Sequence, residues 1–171
     1  MDKELFRNQY LAVIERDGYT FSREIRCDGV IVSLLPFRNN SDEIEFLARL
    51  EICPAHGPEL ELCSITGGVE PRGVIEEAAQ QELWEEAGFR VDVDELISLG
   101  QVRPSKSADT VVHLFAVDVT EKAQSTAPGD GSCFETNASV VWVDYDQGIQ
   151  IADSVFVTAI TRLQSFRSNS R

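Results

Sequence analysis

The sequence predicts one α/β (α+β) domain, a mixed β-sheet with helices on both faces and an N-terminal β-hairpin. Three observations lead there. Short apolar or alternating runs recur along the chain; a helical pattern at residues 75–87, ended by a glycine, interrupts them; and a second amphipathic pattern closes the sequence. The 171 residues suit a single core, and no linker divides them. The domain therefore spans 1–171, with 1–26 as a hairpin segment and 167–171 as a frayed tail.

In chain order, Tyr10 to Ile14 is strand-like, Asp17-Gly18 is a turn signal, and Tyr19 to Ile25 resumes the extended pattern, which makes a hairpin. Gly29 to Phe37 (GVIVSLLPF) is the most apolar run and belongs at the centre of the sheet. Arg38 to Asp42 reads as a polar turn, and Glu43 to Leu50 as the returning strand. Cys53 to Glu59 holds two prolines and a glycine and reads as a loop; Leu60 to Ile65 is a short strand running into Gly67-Gly68. Beyond the helix, Val91 to Gln101 and Val111 to Val119 read as extended, Thr120 to Ser132 as a polar loop, and Val140 to Val143 as a strand. Asp153 to Phe166 is the closing helix, with Val155, Ala159, Ile160 and Leu163 on its apolar side.

Composition narrows the function. The formal net charge of −14 repels a phosphate backbone and argues against stable nucleic-acid binding. No apolar run approaches the roughly 18 residues that span a bilayer, so no membrane association is expected. The first residues lack a secretory pattern, so a cytoplasmic location is expected. The cysteines are Cys27, Cys53, Cys63 and Cys133. No two have Cys-x-x-Cys spacing and only His56 and His113 could assist, which argues against a zinc site and for structural or incidental thiols.

The segment Gly67 to Phe89 (GGVEPRGVIEEAAQQELWEEAGF) carries the chemistry. On a helix, Glu82, Glu85 and Glu86 share an arc of roughly 100°, while Ala79, Leu83 and Ala87 point to the core. Three carboxylates on one face repel one another, and two sit in the last turn, where the helix dipole disfavours negative charge. A divalent cation resolves both penalties, and hard oxygen ligands suit magnesium, manganese or calcium. A solvated acidic helix face is the alternative reading.

These residues resemble the Nudix box, G-x5-E-x7-R-E-U-x-E-E-x-G-U, over residues 67–89. Gly67, Glu82, Leu83, Glu85, Glu86, Gly88 and Phe89 match; the first glutamate falls on Gly73 and the arginine on Gln81. Other segments resemble the ADP-ribose/ADP-sugar pyrophosphatase branch: Arg23-Glu24-Ile25 with Gly29 to Val32, Phe46 to Arg49, and Pro104 to Ser107, Pro104 lying 15 positions after Phe89. The resemblance implies a Nudix-like α/β/α sandwich that hydrolyses a pyrophosphate bond in a nucleoside diphosphate linked to another moiety, ADP-ribose or a similar nucleotide sugar. It implies Mg2+, with Mn2+ as a substitute, held by Glu82, Glu85 and Glu86 with the backbone of Gly67 or Gly68. Glu82, Glu85, Glu86 and Glu135 are the catalytic candidates, with Asp130 a second choice of base to Glu135. Arg49, Arg72, Pro104 and Lys106 are candidates for binding substrate. Tyr10, Tyr19 and Phe21 either stack on a base or pack the hairpin, which in the similar branch helps form a homodimer. Two other readings stay open. One is a catalytically weakened Nudix domain that senses a nucleotide, motivated by Gly73 and Gln81; the other is an acidic interaction domain.

Overall fold

The computed structural model describes residues 1–41, 43–129 and 138–169. Among these residues ten strands and three α-helices follow one another: β1 (Lys3–Arg7), β2 (Leu11–Arg16), β3 (Tyr19–Glu24), β4 (Val30–Asn40), β5 (Glu43–Ile52), β6 (Leu60–Cys63), β7 (Ile65–Gly68), α1 (Ile75–Ala87), β8 (Ile97–Val102), β9 (Val111–Asp118), β10 (Ser139–Val143), α2 (Tyr145–Gly148) and α3 (Ser154–Asn169). The first three form an antiparallel sheet, so the expected hairpin gains a third strand, β1. The other seven form a mixed sheet ordered β10-β5-β4-β9-β8, with β6 on β5 and β7 on β4. The apolar run at β4 is central, flanked by antiparallel β5 and β7 and by parallel β9.

Period-two alternation sends side chains to two separate cores. Val32 and Leu34 of β4, Leu47 of β5 and Phe115 and Val117 of β9 pack beneath Ala79, Leu83 and Ala87 of α1. Phe37, Phe46, Ala48, Leu114 and Ala116 face the other way, onto Phe156, Ala159, Ile160 and Leu163 of α3. Helix–sheet–helix layering follows directly from that pattern.

Four local expectations change. β4 runs on to Asn40, so residues 38–40 of the expected turn are strand, and Ser41 takes φ 59°. Within 91–101 only the second half is strand; Val93–Glu95 is a single 3-10 turn, closed by a reciprocal Asp92–Glu95 capping box. A short helix, α2, follows β10, started by the same device at Asp144 and Gln147. Finally, α3 continues through Asn169, well into the expected frayed tail. Among the described residues, no helix is long and apolar enough to cross a membrane.

Candidate functional site

Helix α1 begins at Ile75 after a turn closed by Gly73 N–H donating to the Glu70 carbonyl at 2.7 Å. It ends at Gly88 in the left-handed conformation, φ 73°. Its last turn holds no basic side chain, so its open carbonyls need other donors. The segment after β9 supplies them. Gln124 Nε2 donates to Ala87 O at 3.0 Å, Ser125 N–H to Gly88 O at 2.9 Å, and Gly129 N–H to Glu85 O at 2.9 Å. The approach is close: a Cβ on Gly88 would lie 2.0 Å from Ser125 O.

β7 and α1 meet at Gly67. A Cβ there would fall 1.8 Å from both Cδ and Oε1 of Glu82, so only glycine lets this carboxylate lie against the strand. The two carboxylates Glu82 and Glu86, with Gly67 and Gly68, line one cleft of about 470 Å³, joined by Glu70, Thr66, Glu24 and Arg26. Gathered carboxylates beside a glycine backbone form a hard-oxygen donor set, which fits a magnesium-type cation. Glu85 is oriented differently: it does not line this cleft, and it accepts a hydrogen bond from Gln81 Nε2. The neutral amide at the arginine position thus engages the helix glutamate one turn on, rather than its neighbour.

Arg49 is nearly buried on β5, with 5% of its side chain exposed. It donates from Nε to Glu51 Oε2 at 2.8 Å, and its Nη1 lies 3.4 Å from Glu86 Oε1. A cation held that way fixes the Glu86 carboxylate. Arg72 stands exposed in the turn before α1 with φ 71°. Pro104 lines a separate cleft of about 450 Å³ on the other side of Thr66, a residue common to both clefts. Lys106 is exposed, and its carbonyl accepts from the Tyr19 hydroxyl at 2.9 Å. Ser22 and Asp109 extend this junction through backbone hydrogen bonds between β3 and the 107–109 segment. Phe21 packs beneath Arg16 and Arg23, whose guanidinium carbons lie 5.2 and 5.8 Å from its ring. Glu135, Asp130 and Cys133 lie outside the described residues.

The structure brings in two residues that the sequence did not single out. Arg26 reaches the cleft from the turn after β3, where its Nε donates to Glu24 Oε1 at 2.7 Å; the guanidinium holds the Glu24 carboxyl below its ordinary range. Glu70 lines the cleft three positions before Gly73, the place of the first box glutamate. The turn itself explains that departure, because a Cβ at Gly73 would meet the Glu70 carbonyl at 2.9 Å.

A family model for the NUDIX domain matches residues 29–157. A crystal structure of ADP compounds hydrolase resembles the chain with a TM-score of 0.71 at 15% identity, covering 99% of this chain and 93% of that one, a likeness of fold. Comparison with curated proteins finds no match.

Proposed function

Because the chain belongs to the NUDIX family and is a Nudix pyrophosphohydrolase, we propose that it cleaves the pyrophosphate of ADP-ribose or a similar nucleotide sugar, with magnesium as its cofactor and manganese as a substitute. The observation that carries this reading is the single cleft in which Glu82 and Glu86 meet the glycine backbone of β7. Glu82, Glu86 and the carbonyls of Gly67 or Gly68 would hold the cation, with Glu85 close by on the same helix. Bound there, magnesium supplies charge neutralisation on the two phosphates and activation of water.

The protein's own groups set the geometry. Arg49 orients Glu86 from behind, and Gln81 orients Glu85. Arg26, at the cleft, presents a planar guanidinium suited to a phosphate oxygen pair. Glu70 supplies a carboxylate to the cleft in place of the glutamate missing at Gly73. Glu135 is our choice of general base, taking the proton of the attacking water. It stands six positions beyond Gly129, which is anchored to the Glu85 carbonyl. Beyond Thr66, the Pro104 cleft offers room for the second moiety of the substrate, with Arg72 and Lys106 outside as accessory cations. The exposed Leu5, Phe6, Tyr10 and Tyr19 of the N-terminal sheet favour a homodimer. A cytoplasmic location completes the reading.

The deciding experiment is incubation of the purified protein with ADP-ribose and magnesium, with and without chelator, beside a panel of nucleoside triphosphates and diphosphate sugars. Chelator-sensitive AMP release supports the proposal. Cleavage confined to other compounds retains the chemistry and removes the substrate. Silence across the panel refutes turnover of these compounds and favours the nucleotide-sensing alternative, which the neutral Gln81 at the arginine position already motivates.

A further inference from the structure

We infer that Cys53, His56, Glu61 and Cys63, at the end of the β5–β6 hairpin, form a binding site for a thiophilic divalent cation, Zn2+, separate from the Glu82–Glu86 cleft. The strand register creates the constellation. Arg49 pairs with Cys63 and Glu51 with Glu61, so residues at alternate positions along both strands project from one face. Cys53 continues that face beyond the end of β5. The chain then turns through Cys53-Pro54-Ala55-His56-Gly57, closed by His56 N–H donating to the Cys53 carbonyl at 2.8 Å and by Gly57 N–H donating to the same oxygen at 3.3 Å. Cys53 and His56, two residues apart on such a turn, have the separation that paired cysteine ligands of zinc use.

The donor atoms gather in two overlapping groups that share Cys53. Those of Cys53, His56 and Glu61 are within 4.8 Å of one another, as are those of Glu51, Cys53 and Cys63. Two Zn–S bonds of ~2.3 Å at a tetrahedral angle hold their sulfurs ~3.8 Å apart, close to the present Cys53–Cys63 separation, and the Cys63 side chain would turn from Glu51 toward His56 and Glu61 to close the set. His56 Nδ1 is 2.7 Å from Glu61 Oε1, and Cys63 Sγ donates to Glu51 Oε1 at 3.3 Å. Glu51 in turn accepts from Arg49, which makes Glu61 the carboxylate assigned to the fourth position. Both thiols are half-buried and face carboxylates. Zn2+ would take the place of the two thiol protons, releasing both to solvent. The cluster opens on the Pro104 cleft, so an ion can enter. Its thiolate and imidazole donors differ in kind from the all-oxygen set at Glu82 and Glu86 and select a softer metal.

The test uses the full-length, tag-free protein, stripped with chelator and kept reduced with a phosphine. Zn2+ is titrated against a chromophoric chelator, and Co2+ is followed by absorption spectroscopy. One equivalent of tightly held Zn2+ is expected, undisturbed by millimolar magnesium, with a thiolate-to-cobalt charge-transfer band in the near ultraviolet. Loss of a partner outside the ligand shell costs 10- to 100-fold in affinity, so losing a ligand should cost at least ~100-fold. Cys53→Ser and His56→Ala should both show that loss, and Cys63→Ser should roughly halve the band, leaving the contribution of Cys53. Glu86→Gln should retain both the ion and the band. His56 is 70% exposed on a surface turn, so its variant tests the site even if a cysteine variant folds poorly. Zinc binding unchanged in Cys53→Ser and His56→Ala, zinc lost in Glu86→Gln, or a cobalt spectrum without thiolate character would each overturn the inference.

Discussion

Replacing Gly67 by alanine separates the architecture of the site from the stability of the fold. The new methyl carbon would sit 1.8 Å from the Glu82 carboxyl carbon, whereas unbonded carbons approach to about 3.5 Å. The Glu82 carboxylate must therefore retreat by about 1.7 Å. Gly67 does not occupy the left-handed region, so alanine strains no backbone, and stiffening the unfolded chain offsets part of the cost of moving a flexible side chain. The expected change in unfolding free energy is within about 1 kcal/mol. Function should respond very differently. A misplacement of 1 Å in a catalytic constellation can cost ~100-fold in rate, about 2.7 kcal/mol of transition-state stabilisation. Thermal denaturation, Mn2+ binding followed by electron paramagnetic resonance, and magnesium-dependent hydrolysis together measure the split. A Gly67→Ala protein with wild-type metal affinity and wild-type kcat/KM would show that the Glu82 carboxylate against β7 has no part in binding the cation.

Three further outcomes are expected. Glu86→Gln should abolish magnesium-dependent turnover while leaving the circular dichroism spectrum unchanged; retained turnover would remove Glu86 from the metal site. Leu83→Ala, at a side chain fully buried between α1 and the sheet, should cost about 3–4 kcal/mol in a urea melt, since the rigid sheet beneath cannot collapse into the void; a loss under ~1 kcal/mol would contradict that packing. Arg26 lowers the Glu24 pKa in the folded state, so this pair stabilises the fold above the unfolded carboxyl value and the contribution is lost as pH falls through the lower folded value. Denaturant melts between about pH 6 and pH 3 should accordingly show a shallower acid limb for Glu24→Gln than for the wild type.

Helix α1 was legible to the residue because a strong period and a glycine stop coincide, and Ala79, Leu83 and Ala87 are buried as their spacing requires. β1 was not legible: all five of its residues are exposed, so no alternation marks it. The helix wheel groups Glu82, Glu85 and Glu86, but only the contact with β7 distinguishes Glu82 and Glu86 at the cleft from Glu85 bonded to Gln81. Arg26 carries no period because it sits in a turn. Cys53 and Cys63 are ten positions apart, and nothing short of the strand register brings their sulfurs together. The Asp92–Glu95 and Asp144–Gln147 pairs were readable as capping boxes and mark short helical turns that hydrophobic periodicity passes over.

The backbone donors at the end of α1 bear on how the molecule assembles. The groups that complete its final turn come from Gln124, Ser125 and Gly129, some forty positions downstream and beyond β9. A thirteen-residue helix is marginal in water on its own, and here its carboxylates also repel one another. An excised peptide covering 67–89 should therefore be mostly coil. In the intact chain, the acidic turn reaches its final form only once a distant segment closes on it. The motif most easily recognised in the sequence is in this sense not a transplantable module, since its shape is lent to it by the rest of the fold.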